Sequence, residues 1–210
     1  CFLDIRATLD NRPPNLRILG EIADECFMPL AYGGGIRDFV SAKKIFSIGF
    51  EKIVINSFAI ENFEFIKKLS EHFGSQSIIV SIDVKKTMLG KYIVYTKSGT
   101  VKTTFQPVDL AQILESFGAG ELLLSSIDRD GTWSGFDIAL VRSVAESLQI
   151  PVIANCGAGS LEDIQEVIFR GKAHAVALGS MVVYQKKDMG VLINFPDRLQ
   201  LENILKDNCE

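Results

Sequence analysis

The sequence alternates short apolar runs with longer amphipathic segments from its first residues to about residue 180. The runs are rich in Val, Ile and Leu along their whole length, as in parallel strands covered on both faces. The segments between them repeat apolar residues every three or four positions, which predicts helices. This order predicts an α/β fold with a parallel sheet. The predicted strands lie at residues 1–5, 28–32, 52–55, 77–83, 121–127, 151–154 and 173–178.

Seven predicted strands are one fewer than a (β/α)8 barrel has. The chain also begins inside its first predicted strand. An open layer of seven strands would leave unpaired edges and an uncovered interior. We therefore expect residues 1–210 to form a single (β/α)8 TIM barrel domain that contains strands two to eight and lacks the first strand–helix unit.

Composition excludes several classes of function. The net charge is −4, with acidic and basic residues interspersed, which argues against a nucleic-acid binder. No run approaches the ~18 apolar residues of a membrane span, and residues 1–5 resemble a strand more than a signal peptide. The cysteines form no CxxC pair and have no His at ligand spacing, so we predict reduced thiols in a cytoplasmic protein, without metal or cofactor. They are Cys1, Cys26, Cys156 and Cys209.

The two halves of the chain carry the same glycine and serine pattern. Gly33-Gly34-Gly35 follows one strand and opens a helix, and Asn56-Ser57 follows the next strand. In the second half, Gly157-Ala158-Gly159 and Gly179-Ser180 occupy the corresponding places, with spacings that agree within a residue. The pattern therefore describes two equivalent sites, half a barrel apart.

Each repeated site has the chemistry of an anion cradle. Glycine lets the backbone approach a ligand closely, and a helix N-terminus points unpaired N–H groups at it. The hydroxyls of Ser57 and Ser180 add donors. One glycine motif by itself is as well explained by a tight turn, but the repetition favours binding of a ligand with a phosphate at each end.

Acidic residues close two of the predicted strands. Asp83 ends the strand at 77–83, where partial desolvation favours a raised pKa and acid–base work; the alternative is a strand cap or an ion pair with Lys85. In the cluster after the next strand, Asp128 and Asp130 are candidates to orient ligand hydroxyls, and Gly131 to offer an N–H to phosphate. A self-satisfied Asp-Gly turn is the alternative there.

Other polar features are less specific. Residues 85–103 form a long polar connection, extended at 92–96, which follows Asp83 as a functional loop would. Cys156 has no His near it in sequence and is interpreted as a packing residue; His72 and His174 are interpreted as structural. Two charged residues, Lys52 and Glu121, open strands at the opposite end of the barrel, either paired with each other inside it or simply solvated.

A family resemblance rests on five motifs, which are AYGGGIRD, EKIVINS, FGSQSIIVSID, GAGELLLSSIDRDGTWSGFD and IPVIANCGAGSLED. In this order they resemble the motifs of the imidazole glycerol phosphate synthase cyclase family, the HisF family. The resemblance implies a phosphate-binding (β/α)8 barrel and a lyase of histidine biosynthesis. Such a subunit takes ammonia from a glutaminase partner and converts a bisphosphorylated ribulosyl aminoimidazole carboxamide nucleotide to imidazole glycerol phosphate.

The resemblance also assigns roles to residues of this chain. Asp83 resembles the catalytic aspartate of the fifth barrel strand, and Ser98 lies in the mobile-loop region that contacts substrate. Lys52 and Glu121 resemble members of the charged gate where ammonia enters. One phosphate site is implied at Gly35, Asn56 and Ser57, and the other at Asp130, Gly131, Gly157, Gly179 and Ser180.

Two departures leave alternatives open. The family's second catalytic aspartate and a loop lysine belong to the first strand and the loop after it, which this chain does not contain. Asn155-Cys156 also stands where the family has Ser-Gly. The segment 190–205 and KKTMLGKY resemble a paralogous branch that acts with an amidotransferase on nucleotide sugars for surface polysaccharide. A non-catalytic truncated barrel module and a sugar-phosphate isomerase of a related barrel family are further alternatives.

Overall fold

The computed structural model describes residues 1–184 and 190–206, so Cys209 lies outside the described residues. The strands are β1 (Phe2–Leu3), β2 (Ala31–Gly33), β3 (Lys52–Ile55), β4 (Ile78–Lys86), β5 (Tyr92–Thr96), β6 (Val101–Lys102), β7 (Glu121–Ser126), β8 (Val152–Asn155) and β9 (Ala175–Ala177). The helices are α1 (Leu16–Glu25), α2 (Phe39–Ile48), α3 (Ser57–Glu61), α4 (Phe63–Phe73), α5 (Pro107–Ser116), α6 (Ile138–Ala145), α7 (Leu161–Phe169), α8 (Ser180–Val183) and α9 (Arg198–Lys206).

Seven strands pair in parallel, in the order β1-β2-β3-β4-β7-β8-β9. Helices connect successive strands of this path, as parallel pairing requires. This is the sheet of a (β/α)8 TIM barrel, and the predicted fold class is confirmed. Within the described residues the path is open, since β1 pairs only with β2 and β9 only with β8.

The main hydrophobic core lies between the sheet and the helices outside it. The apolar stripe of each helix supplies it: Ile45 of α2, Leu69 of α4 and Leu114 of α5 are fully buried. Side-chain caps define several helix starts, and Asp38 accepts a hydrogen bond from Ser41 N at 2.8 Å before α2. Burial of the apolar stripes therefore positions the helices, and polar capping residues mark where several of them begin.

The barrel interior is filled in layers because alternate residues of each strand point inward. At the amino end lie Lys52 and Glu121, the first residues of β3 and β7. Above them, Val54, Ile79 and Leu123 form a small apolar cluster, separate from the main core. The next inward positions, at the carboxyl ends of the strands, are polar, and these form the floor of a cavity.

The connection at residues 85–103 differs from the predicted loop. β4 continues to Lys86, and β5 folds back along it in antiparallel pairing, with Asp83 opposite Tyr95. A short pairing with β6 completes the hairpin. Val94 is fully buried, so this strand packs one face of the hairpin into the main core. Asp83 therefore lies inside β4. The prediction that Asp83 is the last residue of this strand is wrong.

Other strand boundaries differ by a few residues. The first strand is limited to Phe2–Leu3, and the second begins at Ala31 instead of 28, where its pairing with β3 begins. Phe27 and Met28 precede it and are exposed, at 98% and 69%. Lys52–Ile55 agrees with its prediction in both bounds. In the described part of the chain, no helix combines the length and the hydropathy needed to cross a membrane.

Candidate active site

A cavity of about 410 Å³ opens at the carboxyl ends of the strands. Strand register explains its floor: Asp83 pairs with Ser125, and Ser125 with Asn155, so these three side chains lie at one level. Asn155 Nδ2 donates to Ser125 Oγ at 3.0 Å. Active sites of parallel barrels lie at this end, where the strands lead into the loops that follow them.

Asp83 is the buried carboxyl group of this floor. Asn56 Nδ2 donates to its Oδ2 at 2.9 Å. Burial raises the pKa of Asp83 above the usual carboxyl value, and the nearby charge of Asp130 raises it too, whereas hydrogen bonds from Asn56 and Ser125 lower it. The predicted alternative of an ion pair with Lys85 does not occur in the described structure, where the partners are neutral donors. A carboxyl held in this way is suited to exchange a proton with a ligand.

The first glycine motif forms one side of the cavity. Gly34 and Gly35 have φ values of +127° and +67°, and a Cβ at either would lie 2.6 Å or less from a backbone oxygen. Close packing therefore demands glycine here in addition to the left-handed backbone. Ser57, the first residue of α3, is buried beside them and lines the same cavity.

The tip of the hairpin forms another wall. Lys97 and Ser98 both adopt left-handed backbone, with φ values of 51° and 55°. Lys97 N donates to Ser57 Oγ at 2.9 Å, and Ser98 Oγ donates to Ile5 O at 2.9 Å. These two bonds attach the hairpin to the first glycine side and to the residues after β1, and they place Ser98 in the cavity lining.

The second glycine motif follows β8 and β9, and Gly131 follows β7, all at the same end of the sheet. A Cβ at Gly157 would lie 2.3 Å from Gly135 O, so local packing alone explains that glycine. Gly131, with a φ of +65°, and Gly179 have open space around them. Neither these three residues nor Ser180 line the cavity, whereas Asp130 does.

Some of the predicted site residues therefore line the cavity, and others do not. The cavity brings together Gly35, Asn56, Ser57, Asp83, Ser98 and Asp130. Asp130 is exposed, which suits a contact with ligand hydroxyls or phosphate better than buried acid–base work. Asp128, a sequence candidate for orienting ligand hydroxyls, instead accepts from Lys86 N at 2.7 Å and lies outside the cavity lining. It attaches the hairpin to the turn after β7.

Cys156 lines the cavity at a strained backbone position. Its φ is +75°, a left-handed value that non-glycine residues rarely adopt. Burial raises the pKa of its thiol to about 12, with further contributions from Asp130 and Asp83. The thiol is therefore protonated at neutral pH and unsuited to act as a nucleophile.

Two cavity residues, Asp4 and Ser81, were not among the site residues predicted from the sequence. Asp4 lines the cavity and is held by Arg12, whose two terminal nitrogens contact its carboxylate oxygens at 2.7 and 2.8 Å. Ser81 is buried and lies within 3.4 Å of Asn56 Nδ2. Strand alternation offered a signal for Ser81, because it is two residues from Asp83 and so shares its face.

The remaining candidates lie away from the cavity. Lys52 Nζ and Glu121 Oε1 form a direct ion pair at the amino end of the barrel, so these residues are paired and not simply solvated. His174 Nδ1 accepts from Val152 N at 3.2 Å, a structural contact, and His72 packs edge-on against Phe39. Across residues 1–184 and 190–206, no group of three or more His, Cys, Asp or Glu side chains is arranged to hold a metal ion.

Comparison with known families agrees with this geometry. A family described as histidine biosynthesis protein matches residues 1–188 of the chain. The chain belongs to this family. Its barrel, with a cavity at the carboxyl ends of the strands, is thus the fold of the histidine biosynthesis family.

Named relatives extend along most of the chain. A Pseudomonas aeruginosa protein with the provisional name imidazole glycerol phosphate synthase subunit hisF2 is 44% identical over 201 residues, which cover 96% of this chain and 80% of the relative. Proteins provisionally named imidazole glycerol phosphate synthase subunit HisF from Leptospira interrogans and Leptospira borgpetersenii are 42% and 43% identical. Each alignment covers 93% of this chain, and 78% and 77% of those relatives. These relatives support a HisF-like cyclase subunit.

Proposed function

We propose that this chain is the ammonia-using cyclase subunit of an imidazole glycerol phosphate synthase. Its substrate is the bisphosphorylated ribulosyl aminoimidazole carboxamide nucleotide, and its product is imidazole glycerol phosphate. The observation that carries the proposal is the position of Asp83, a buried carboxyl group on the floor of a cavity that Gly34 and Gly35 also line.

In the proposed reaction Asp83 exchanges protons with the bound substrate. A carboxyl group whose pKa is raised by burial retains a proton at higher pH than an exposed one, so it can serve as acid and, once ionised, as base. The backbone N–H groups after Gly35 and at Ser57 would hold one phosphate. Asp130 and the second glycine motif would hold the other end of the substrate. The hairpin tip at Ser98 would limit access of water.

The proposed ammonia source is a glutaminase subunit at the amino end of the barrel. The ion pair between Lys52 and Glu121 lies at that end, below the apolar layer of Val54, Ile79 and Leu123. Neutral ammonia passes such an apolar layer more readily than ions do. Exposed Phe27 and Met28 precede β2 at the same end and offer apolar surface for a partner.

The proposal is tested with an intact-length version of the protein that carries the family's first strand–helix unit, by turnover of the bisphosphate nucleotide with ammonium salts. Asp83→Asn is expected to lower kcat by about 10²–10⁴-fold, because the amide cannot exchange the proton. Asp109→Asn is the matched control, since Asp109 is an exposed residue in the first turn of α5. Equal turnover by the Asp83→Asn and unsubstituted proteins would contradict the role of Asp83, and no turnover by the unsubstituted protein would contradict the reaction.

A nucleotide-sugar acceptor is a second candidate, because KKTMLGKY and the segment 190–205 resemble the paralogous branch that acts with an amidotransferase on nucleotide sugars. Cys156 also places a side chain in the cavity where the resembled family has glycine, which changes the space left for a ligand. Calorimetric titration with the bisphosphate nucleotide and with a uridine diphosphate sugar distinguishes the two, and tighter binding of the sugar nucleotide would favour this candidate.

A further inference from the structure

Asn56 has an unusual set of hydrogen bonds. Its Nδ2 lies 2.9 Å from Asp83 Oδ2 and 3.4 Å from Ser81 Oγ. Its Oδ1 is buried and has no partner, the one such side-chain atom among the described residues. Buried polar atoms are nearly always paired, so the unpaired Oδ1 shows that the carboxamide is held through Nδ2 alone.

The backbone of Asn56 gives a second, independent observation. Its φ and ψ are −109° and −100°, outside the broad allowed regions for residues with a side chain. Gly179, at the equivalent place of the second half, has nearly the same values, −110° and −93°. Each residue precedes a serine that starts a short helix, α3 or α8.

This comparison separates the backbone role from the side-chain role. Glycine adopts the required conformation at position 179 without strain. A lack of room for a side chain does not explain why residue 179 is glycine, because a Cβ built on Gly179 would meet nothing within 4 Å. The first half keeps a side chain at the same backbone conformation, and this carboxamide supplies a contact that glycine cannot. Its shortest hydrogen bond is to Asp83.

We propose that Asn56 is a positioning residue for Asp83, whose ionised carboxylate it holds through its carboxamide Nδ2. This proposal deepens the proposed function, because it rests on Asp83 exchanging protons. Ionised Asp83 needs a donor, and Nδ2 supplies it. Protonated Asp83 needs this donor less, because a neutral carboxyl oxygen accepts a weaker hydrogen bond than a carboxylate oxygen does, so the contact favours the ionised form.

All contacts of the carboxamide lie at its nitrogen end, which orients Nδ2 towards Asp83 and Ser81. The titratable groups that face Asp83 are Asp130, from the turn after β7, and Cys156, after β8. Neither supplies a fixed neutral donor.

The test measures the titration of Asp83 itself in the whole protein. Protein labelled with ¹³C at aspartate carboxyl groups is titrated by NMR, and the Asp83 signal is identified by its loss in Asp83→Asn. Asn56→Gly is expected to move the titration midpoint of Asp83 to higher pH, because the donor that favours the carboxylate is gone. The fold should survive, since Gly179 already adopts this backbone conformation.

Asn62→Gly is the matched control. Asn62 caps α4 with its side chain and is exposed, so its loss tests the effect of an asparagine-to-glycine change in itself. The midpoint of Asp83 should not move in Asn62→Gly. An unchanged midpoint in Asn56→Gly would overturn the positioning role.

These titrations need no substrate, so they stand or fall separately from turnover of the bisphosphate nucleotide. If the protein is active, the acidic limb of kcat/KM against pH should move upward in Asn56→Gly as well.

Discussion

At the scale of single residues, the cavity places two groups where they lower the stability of the fold. Asp83 is a carboxyl group whose pKa is raised by burial, and Cys156 is a non-glycine residue with a φ of +75°. Strained or desolvated residues of this kind persist mainly where function retains them. Each therefore gives a stability prediction that is independent of catalysis.

The first prediction concerns pH and Asp83. Because the folded protein binds the Asp83 proton more tightly than the unfolded chain, ionisation of Asp83 disfavours the folded state. This penalty is absent below the ordinary carboxyl pKa of about 4 and grows as pH rises through the folded pKa. Asp83→Asn should therefore be more stable than the unsubstituted protein at neutral pH, and the difference should shrink towards pH 4.5. Urea unfolding across this range measures it, with Asp109→Asn as the control; a difference that grows towards acid would contradict the raised pKa.

The second prediction concerns the backbone at Cys156. Left-handed backbone costs a residue with a Cβ about 1 kcal/mol or more, and glycine nothing. Cys156→Gly should therefore be more stable than Cys156→Ala by about 1 kcal/mol. Ser47, an exposed residue inside α2, should show the opposite order, with Ala above Gly. The free energies of unfolding of the four variants provide the comparison, and the same order at both positions would exclude strain at Cys156.

At the scale of elements, the helix starts could be predicted from the sequence better than the hairpin. Ser160 and Asp163 form a capping box at the start of α7, in which Ser160 Oγ accepts from Asp163 N and Asp163 Oδ2 accepts from Ser160 N. Such caps depend on neighbouring residues only. The strand β5 was recognisable as extended, but its partner β4 and the length of β4 depend on a chain reversal that local propensity does not determine.

A third prediction follows for the capping box. Ser160→Ala leaves the N–H of Asp163 without its acceptor and should lower the free energy of unfolding by about 1 kcal/mol. Ser47→Ala removes a hydroxyl inside a helix and should be neutral or slightly stabilising. Thermal unfolding of both variants is the measurement. Equal effects would mean that the cap does not stabilise α7.

At the scale of the whole molecule, the two glycine motifs occupy one end of a single sheet. The first lines the cavity with Ser57, and the second follows β8 and β9 farther along the sheet. A ligand with two phosphates is proposed to reach both, and neither half of the barrel would bind it fully by itself.

A fourth prediction tests this arrangement by ligand-induced stabilisation. The bisphosphate nucleotide should raise the unfolding temperature more than inorganic phosphate does, since binding at 100-fold the Kd contributes about 2.7 kcal/mol. Ser57→Ala and Ser180→Ala should each reduce this stabilisation. Retention of the full effect in Ser180→Ala would show that the second motif does not bind the ligand and that its glycines serve packing, as Gly157 does against Gly135.

The sequence by itself determined the alternation of strands and helices, the parallel order and the likeness of the two halves. These depend on hydrophobic periodicity and on glycine and serine at fixed spacing, which are local properties of the chain. Only the tertiary structure decided which side chains meet. The contact between Asn56 and Asp83, the ion pair between Lys52 and Glu121, and the closure of the hairpin over Ser57 join residues 27 to 69 positions apart. Strand register and chain reversal determine these contacts, and no short stretch of sequence determines either of them.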